Sequence, residues 1–170
     1  MLLAALLAAA LLAVERVSYV LVWRYPDRFR QLVRSDPVDA LQKLFLLFKL
    51  IQISVFTGWI ITFSESFPPM PTADWPWLAL GCALIALGQI LNMAVFWRLG
   101  KVGVFYGNKL GHEVPWVQGF PFSLVPHPQY VGTLMSIWGL FLVMRFPHSD
   151  WSVLPLISTF YYLLAMRLER

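Results

Sequence analysis

Long apolar runs separated by short polar stretches dominate the pattern of this chain. Five runs predict hydrophobic helices: Leu2–Val22, Leu41–Phe63, Trp77–Trp97, Tyr130–Phe146 and Trp151–Met166. A helix needs about 20 mostly apolar residues to cross a bilayer, and the first three runs reach that length. The pattern therefore predicts an all-α integral membrane protein of about five hydrophobic helices. The last two runs are predicted to form a hairpin around the tight turn Pro147–Asp150, and either could be partly re-entrant.

Charged residues interrupt the first two runs. Glu15 and Arg16 lie within the first run, either as a pair that faces other helices or near an interface where they snorkel to water. The Ala- and Leu-rich start of this run also resembles a cleaved signal peptide, but the basic n-region is missing, so a membrane helix is expected. Lys49 lies about a third of the way into the second run, where it is either a functional group or a snorkelling one.

The composition agrees with a membrane protein. Of the 170 residues, 59% are hydrophobic and 13% are charged, whereas a soluble domain carries about 25% charged residues. We expect one membrane domain that spans residues 1–170. The single cysteine, Cys82, allows no disulfide within the chain, and no metal site is predicted. No basic run interleaved with aromatic residues indicates a nucleic-acid partner.

Charge in the loops predicts an orientation. The stretches 24–39 and 98–127 and the C-terminus are basic, whereas residues 64–75 contain no Lys or Arg. Basic loops are enriched on the cytosolic side of membranes. We therefore expect the three basic regions in the cytosol, and a lumenal N-terminus if all five runs span.

The stretch Arg98–Gly132 is unusually rich in glycine and proline. Four of its glycines recur at intervals of three or four residues, which a helix would place along one side: Gly100, Gly103, Gly107 and Gly111. Such a side offers a flat groove, either for a ligand or for a closely packed helix. A long ordered loop between helices is more often functional than not.

His127 stands between two prolines in this stretch. Pro126 and Pro128 restrict the backbone on either side of it and stop any helix before it. Pro128 is predicted to be the first residue of the next helix. The imidazole and the nearby Tyr130 phenol are thus expected at the mouth of a membrane helix.

The order of these motifs resembles a known family. The run LG-x-x-G-x-x-x-G-x-x-x-G, then FPF, then HPQYVG is similar to the phospholipid N-methyltransferases, and most of all to the plant-type enzymes that complete phosphatidylcholine synthesis. The resemblance covers roughly residues 40–170, with a catalytic core at about 77–170. The His-Pro-x-Tyr-x-Gly element also resembles the isoprenylcysteine carboxyl methyltransferases.

The resemblance implies an enzyme of the endoplasmic reticulum membrane with its active site facing the cytosol. It would use S-adenosylmethionine, without a metal, to methylate phosphatidyl-N-methylethanolamine and its dimethyl product to phosphatidylcholine. The expected catalytic residues are His127, Tyr130 and Glu169. The expected donor-binding residues are Gly88, Gly100, Gly103, Gly107, His127, Pro128, Tyr130, Gly132 and Glu169. The expected ligands of the lipid phosphate or the donor carboxylate are Arg98, Lys101 and Lys109.

The chain departs from the animal members of the family at two places. A Gly-x-Gly associated with donor binding there reads Ala86-Leu87-Gly88 here, and a Glu-Glu pair at the last helix reads Leu168-Glu169. His112 and Glu113 are either proton acceptors for the amine or a solvated loop pair. Two other functions stay open from the sequence: a prenylcysteine carboxyl methyltransferase and a non-catalytic membrane scaffold whose glycines only pack helices.

Overall fold

The computed structural model describes residues 1–115 and 117–169. That part of the chain is helical, and it contains six helices: α1 (Leu2–Arg24), α2 (Pro26–Leu32), α3 (Pro37–Thr62), α4 (Trp75–Val104), α5 (Pro128–Met144) and α6 (Val153–Leu168). The predicted all-α membrane fold is confirmed. Helices α1, α3 and α4 are long and apolar enough to cross a membrane, while α5 and α6 are apolar but shorter.

Prolines and a capping carboxylate set where the helices begin. Helices α2, α3 and α5 each start at a proline, whose fixed φ suits the first turn and whose missing N–H is not needed there. The predicted start of α5 at Pro128 is therefore confirmed. Asp36 caps α3 by accepting hydrogen bonds from the backbone N–H groups of Val38 and Asp39, at 2.9 and 3.1 Å.

The five apolar helices, α1, α3, α4, α5 and α6, run alternately up and down. One end of each of them therefore lies on the same side of the bundle. At this side, called the site end below, the C-terminal ends of α1 and α6 touch through a hydrogen bond of 3.1 Å from Arg24 Nε to the Leu168 carbonyl. Lys101, in the last turn of α4, forms an ion pair with Asp39 at the start of α3. The predicted hairpin of α5 and α6 turns at the opposite side.

Glycines bring α4 and α5 into very close contact. A Cβ placed on Gly132 would lie 2.6 Å from the carbonyl oxygen of Gly88, and one on Gly139 would lie 2.5 Å from that of Gly81. No side chain fits between backbones at such distances, so small residues are required on both helices. The sides of the two helices that carry these glycines therefore form their packing surfaces.

The predicted end of the third run was wrong. Helix α4 continues beyond Trp97 to Val104, with a break at Gly100, whose φ of 61° and ψ of −176° are open mainly to glycine. The expectation that the four spaced glycines share one helix side fails for the same reason. Gly103 lies in the last turn of α4, and Gly107 and Gly111 lie beyond the helix.

The buried Glu15 and Arg16 form an ion pair inside the bundle, as one of the two sequence interpretations predicted. Lys49 reaches the same pair, with its Nζ atom 3.4 Å from Glu15 Oε1, and it also donates to Gln52 at 2.8 Å. The snorkelling interpretation of Lys49 is therefore wrong. Both cations contact the one carboxylate of Glu15, since an unpaired charge at this depth would be very costly.

A second buried polar cluster joins α3 to the turn between α5 and α6. Asp150 accepts hydrogen bonds from Trp59 Nε1 at 2.9 Å and from Arg145 Nε at 3.0 Å and Nη2 at 2.5 Å. Burial alone would raise the pKa of the Asp150 carboxyl, but the hydrogen bonds from Arg145 and Trp59 outweigh it and hold that pKa below its usual value. The carboxylate therefore stays ionised and fixes the far end of the bundle.

Replacing Gly139 should disrupt the α4–α5 contact. We expect Gly139→Ala to lower the free energy of unfolding by about 1–3 kcal/mol, because its methyl group overlaps the Gly81 carbonyl. Gly58 of α3 has no neighbouring atom within 4 Å of an added Cβ, so Gly58→Ala should stabilise by about 0.5–1 kcal/mol through lower backbone entropy. Thermal unfolding in detergent micelles measures both. Equal stability of the two variants would contradict this packing.

Removing the Asp150 charge should destabilise the protein strongly. Asp150→Asn leaves the Arg145 guanidinium, which is 3% exposed, without its counter-charge, and we expect a loss of about 3–5 kcal/mol. The exposed Asp27–Arg30 pair is the control, since Asp27→Asn should cost at most about 1 kcal/mol.

Because the pKa of Asp150 is lowered, its contribution to stability is complete above the usual carboxyl pKa. It is lost as pH falls through the folded-state pKa. Wild-type unfolding measured in acid should show this loss, and Asp150→Asn should not.

Candidate functional site

Glu169 lies at the centre of the candidate site. Its Oε1 accepts a hydrogen bond of 3.0 Å from the Tyr106 hydroxyl, and its Oε2 accepts one of 2.6 Å from the Tyr130 hydroxyl. The two phenol oxygens are 3.3 Å apart. The three side chains come from the end of α6, the turn after α4 and the first turn of α5. Two phenols thus hold one carboxylate at the site end of the bundle.

A tight turn after α4 places Tyr106. Tyr106 has a φ of 56°, and the N–H of the next residue, Gly107, donates to the Val102 carbonyl at 2.8 Å. A Cβ on Gly107 would lie 2.3 Å from a methyl group of Val102, so the turn needs glycine at that position. Burial raises the pKa of the Tyr106 phenol well above its usual value, and the neighbouring Tyr130 and Glu169 raise it further. Tyr106 therefore stays protonated as a donor to Glu169.

His127 stands at the start of α5, as predicted. It is the residue before Pro128, and its ring stacks on the Tyr130 ring with centroids 5.9 Å apart and planes at 17°. The imidazole is half-buried. The two prolines thus present His127 and Tyr130 side by side.

Two cavities meet at this group of side chains. The smaller has a volume of 190 Å³, and its walls include Trp23, Gly103, His127 and Glu169. The larger has a volume of 560 Å³, and it extends between α1, α3, α4 and α5. Polar side chains in the larger wall include Arg16, Lys49, Gln52, Gln89, Asn92 and Gln129. Tyr106 and Tyr130 belong to both walls, so the cluster with Glu169 lies at their junction.

The structure brings together five of the residues that the sequence singled out. These are Gly103, His127, Pro128, Tyr130 and Glu169, which all line the smaller cavity. Gly88 and Gly132 lie instead in the α4–α5 contact, Gly100 marks the break in α4, and Gly107 lies in the turn beneath Tyr106. Donor binding by these four glycines stays a prediction.

The predicted surface cations are spread over the site end. Lys101 pairs with Asp39, the Lys109 ammonium lies 4.5 Å from the centre of the Trp23 ring, and Arg98 is exposed beside Gly119. Their role in binding phosphate or a donor carboxylate stays a prediction.

His112 is tied to the start of α3. Its Nε2 lies 3.0 Å from Asp36 Oδ2. Backbone N–H groups of Asp39 and Val38 lower the pKa of Asp36, and His112 lowers it further. This contact holds the glycine-rich stretch against α3, while Glu113 is exposed.

Sequence reasoning missed the aromatic and basic neighbours of the cluster. The Arg16 guanidinium lies 4.2, 5.1 and 5.6 Å from the ring centres of Tyr162, Tyr19 and Tyr130. The spacing of Arg16 and Tyr19 by three residues places them on one side of α1 and could have linked those two. No local pattern connects α1 with Tyr130 and Tyr162, because that contact depends on the packing of α1 against α6.

Comparison with known proteins identifies the family. Residues 76–170 match the family model described as "Phospholipid methyltransferase", which is more than half of the chain. The chain belongs to this family. The matched residues include Tyr106, Tyr130 and Glu169, which form the hydrogen-bonded cluster described above. Helices α1 and α3, with Arg16 and Lys49, lie before them.

Several curated relatives carry one name, phosphatidyl-N-methylethanolamine N-methyltransferase. The Arabidopsis thaliana protein is 38% identical over 103 residues, which are 60% of this chain and 56% of the relative. The Saccharomyces cerevisiae protein is 34% identical over 94 residues, 55% of this chain and 45% of the relative. The chain spans about half the length of these phospholipid methyltransferases. No solved structure matches it.

The charge of Glu169 should make the Tyr130 hydrogen bond unusually strong. Hydrogen bonds to charged groups contribute about 1.5–3 kcal/mol, and neutral ones about 0.5–1.5 kcal/mol. We expect Tyr130→Phe to lose stability in the first range. Tyr161→Phe, which removes a 3.1 Å bond to the Ala9 carbonyl, should lose stability in the second. Unfolding in detergent micelles compares the two variants, and equal losses would contradict a charged Glu169 as the acceptor.

Proposed function

We propose that the protein transfers methyl groups from S-adenosylmethionine to phosphatidyl-N-methylethanolamine and its dimethyl product, giving phosphatidylcholine. The observation that carries this proposal is the Glu169 carboxylate, held by two phenols where the two cavities meet. Membership of the phospholipid methyltransferase family and the names of the relatives support it. The prenylcysteine and scaffold alternatives become outcomes of the test below.

The lining of the smaller cavity suits the sulfonium of S-adenosylmethionine. The donor supplies an electrophilic methyl group on a positively charged sulfonium. A cation of this kind is stabilised by a carboxylate and by aromatic faces, and the cavity offers Glu169, Trp23, Tyr106 and Tyr130. Gly103 lies in the same wall, where a Cβ would come within 2.7 Å of Leu99 and 3.2 Å of Val114, so this position needs glycine. The residues present therefore fit this donor.

The larger cavity suits the lipid acceptor. Tyr106 and Tyr130, which line both cavities, would position the amine of the lipid against the donor side. Holding the two reactants in line within a bundle that excludes water accounts for much of the acceleration expected for methyl transfer. The amine attacks as the neutral form, so its proton must leave before the reaction.

His127 acts in this proposal through its neighbour. Its ring stacks on Tyr130 and holds that side chain in the wall of the smaller cavity. Glu169 compensates the donor's positive charge, and Tyr130 fixes Glu169. The site faces the cytosol from the membrane of the endoplasmic reticulum, which agrees with the basic loops at the site end.

Methyl incorporation tests the proposal directly. Purified protein in mixed micelles receives radiolabelled S-adenosylmethionine with the ethanolamine, monomethyl and dimethyl phospholipids in parallel, and with a prenylated cysteine. We expect label in phosphatidylcholine. Glu169→Gln keeps the shape and removes the charge, and it should lower both the methylation rate and the donor affinity about 10- to 100-fold. His127→Ala should lower both as well.

Glu65→Gln is the matched control. Glu65 is an exposed carboxylate at the opposite side of the bundle, so its loss should leave the rate unchanged. Label on the prenylated cysteine alone would favour the carboxyl methyltransferase. Failure of the folded protein to bind S-adenosylmethionine or to label any acceptor would overturn the enzyme proposal and leave the scaffold.

A further inference from the structure

Two hydrogen-bond donors on α1 lack acceptors inside the bundle. Arg16 Nε and the Tyr19 hydroxyl are buried, and neither has a hydrogen-bond partner among the residues that the structure describes. Arg16 is 8% exposed and Tyr19 is 7% exposed. Buried donors are almost always paired, since an unpaired one costs about 1–3 kcal/mol. Both side chains line the larger cavity, so a ligand there could supply the missing acceptors.

The same wall carries an excess positive charge. Arg16 and Lys49 share the single carboxylate of Glu15, which leaves one positive charge without a counter-charge. Glu169 accepts its hydrogen bonds from Tyr106 and Tyr130 on the side of the smaller cavity. Excess charge at membrane depth is costly. A ligand that is both an acceptor and a monoanion would satisfy donors and charge together.

The larger cavity has an opening toward the bilayer. Helices α3 and α4 make little contact with each other. The cavity wall includes exposed apolar residues from both helices, among them Ile53 at 59% and Met93 at 70% exposure. Nearer the site end, Phe45 of α3 packs against Phe96 and Phe105. A lipid can therefore enter sideways between α3 and α4 with its head group in the cavity and its acyl chains outside.

We propose that Arg16 and Tyr19, with Lys49 beside them, bind the phosphodiester of the phospholipid acceptor. This group of three side chains is called the phosphodiester site below. A phosphodiester carries one negative charge and several acceptor oxygens, and arginine binds it through paired hydrogen bonds. The proposal rests on the proposed function for the identity of the acceptor, and it adds residues that lie before the matched family region.

The distances agree with a phospholipid of the ethanolamine type. In such a head group two carbons join the phosphodiester to the amine. Arg16 lies 5.6 Å from the centre of the Tyr130 ring, and the Tyr130 hydroxyl contacts Glu169. A phosphate bound at Arg16 therefore places the amine close to the junction of the two cavities. The charges also balance, because the phosphodiester offsets the excess cation at Arg16 while Glu169 offsets the sulfonium.

Lipid binding without any methyl donor tests the phosphodiester site. The full chain in maltoside micelles is titrated with phosphatidyl-N-methylethanolamine, and separately with a diacylglycerol of the same acyl chains, and bound lipid is counted by native mass spectrometry. We expect the wild-type protein to prefer the phospholipid. Arg16→Gln should weaken phospholipid binding at least about tenfold, since it removes a charge-assisted contact. Its affinity for diacylglycerol should stay unchanged.

Tyr19→Phe is the decisive variant, because it removes a hydroxyl that has no partner in the folded protein. Its stability should therefore equal or exceed that of the wild type, while its phospholipid affinity falls about three- to tenfold. A purely structural Tyr19 predicts no change in lipid affinity. Tyr161→Phe and Arg34→Gln are the matched controls: Tyr161 bonds to a backbone carbonyl, and Arg34 is exposed. Neither should alter lipid selectivity.

Two results would overturn the proposal. One is unchanged phospholipid affinity in Tyr19→Phe and in folded Arg16→Gln. The other is an Arg16→Gln variant that loses affinity for S-adenosylhomocysteine while it still binds phospholipid. That result would assign Arg16 to the carboxylate of the donor. Selective phospholipid binding without methyl transfer would support the phosphodiester site and count against the enzyme proposal. Methyl transfer that does not depend on Arg16 or Tyr19 would support the enzyme proposal and count against the phosphodiester site.

Discussion

The close contact between α4 and α5 determines where the site can form. Facing glycines let the two backbones approach until no side chain fits between them. This contact sets the first turn of α5, with His127 and Tyr130, against the turn that follows α4, with Tyr106. Helix α6 then returns beside α5 and brings Glu169 to the two phenols. A wider spacing of α4 and α5 would separate the donors from the carboxylate.

Buried charge is the second constraint on this bundle. Each charged side chain at depth has a specific partner: Asp150 has Arg145 and Trp59, and Glu15 has Arg16 and Lys49. The two groups differ in their balance. The Asp150 cluster is neutral and well hydrogen-bonded, so it serves the fold. The Glu15 cluster has a surplus cation and unpaired donors, which is the arrangement expected where a ligand completes the set.

The sequence predicts the helices and part of the site, and the physical reasons for the rest differ from residue to residue. Pro128 determines the start of α5 locally, so His127 and Tyr130 could be placed in advance. Gly81 and Gly139 hold α4 against α5, a use of small residues that is common between membrane helices. The break at Gly100 could not be foreseen, since glycine also fits within a helix. The approach of Arg16 to Tyr130 and Tyr162 depends on the packing of α1 against α6, which no local pattern records.

In the proposed function, the sparse contact between α3 and α4 is the route by which the lipid acceptor reaches the larger cavity. An acceptor that enters from within the leaflet never passes through bulk water. The relevant concentration is then the mole fraction of acceptor among the surrounding lipids, so diluting it with inert lipid slows encounter even when the amount per volume is constant. A product released by the same route remains in the leaflet beside the opening. It can return for a further round before it diffuses away along the membrane.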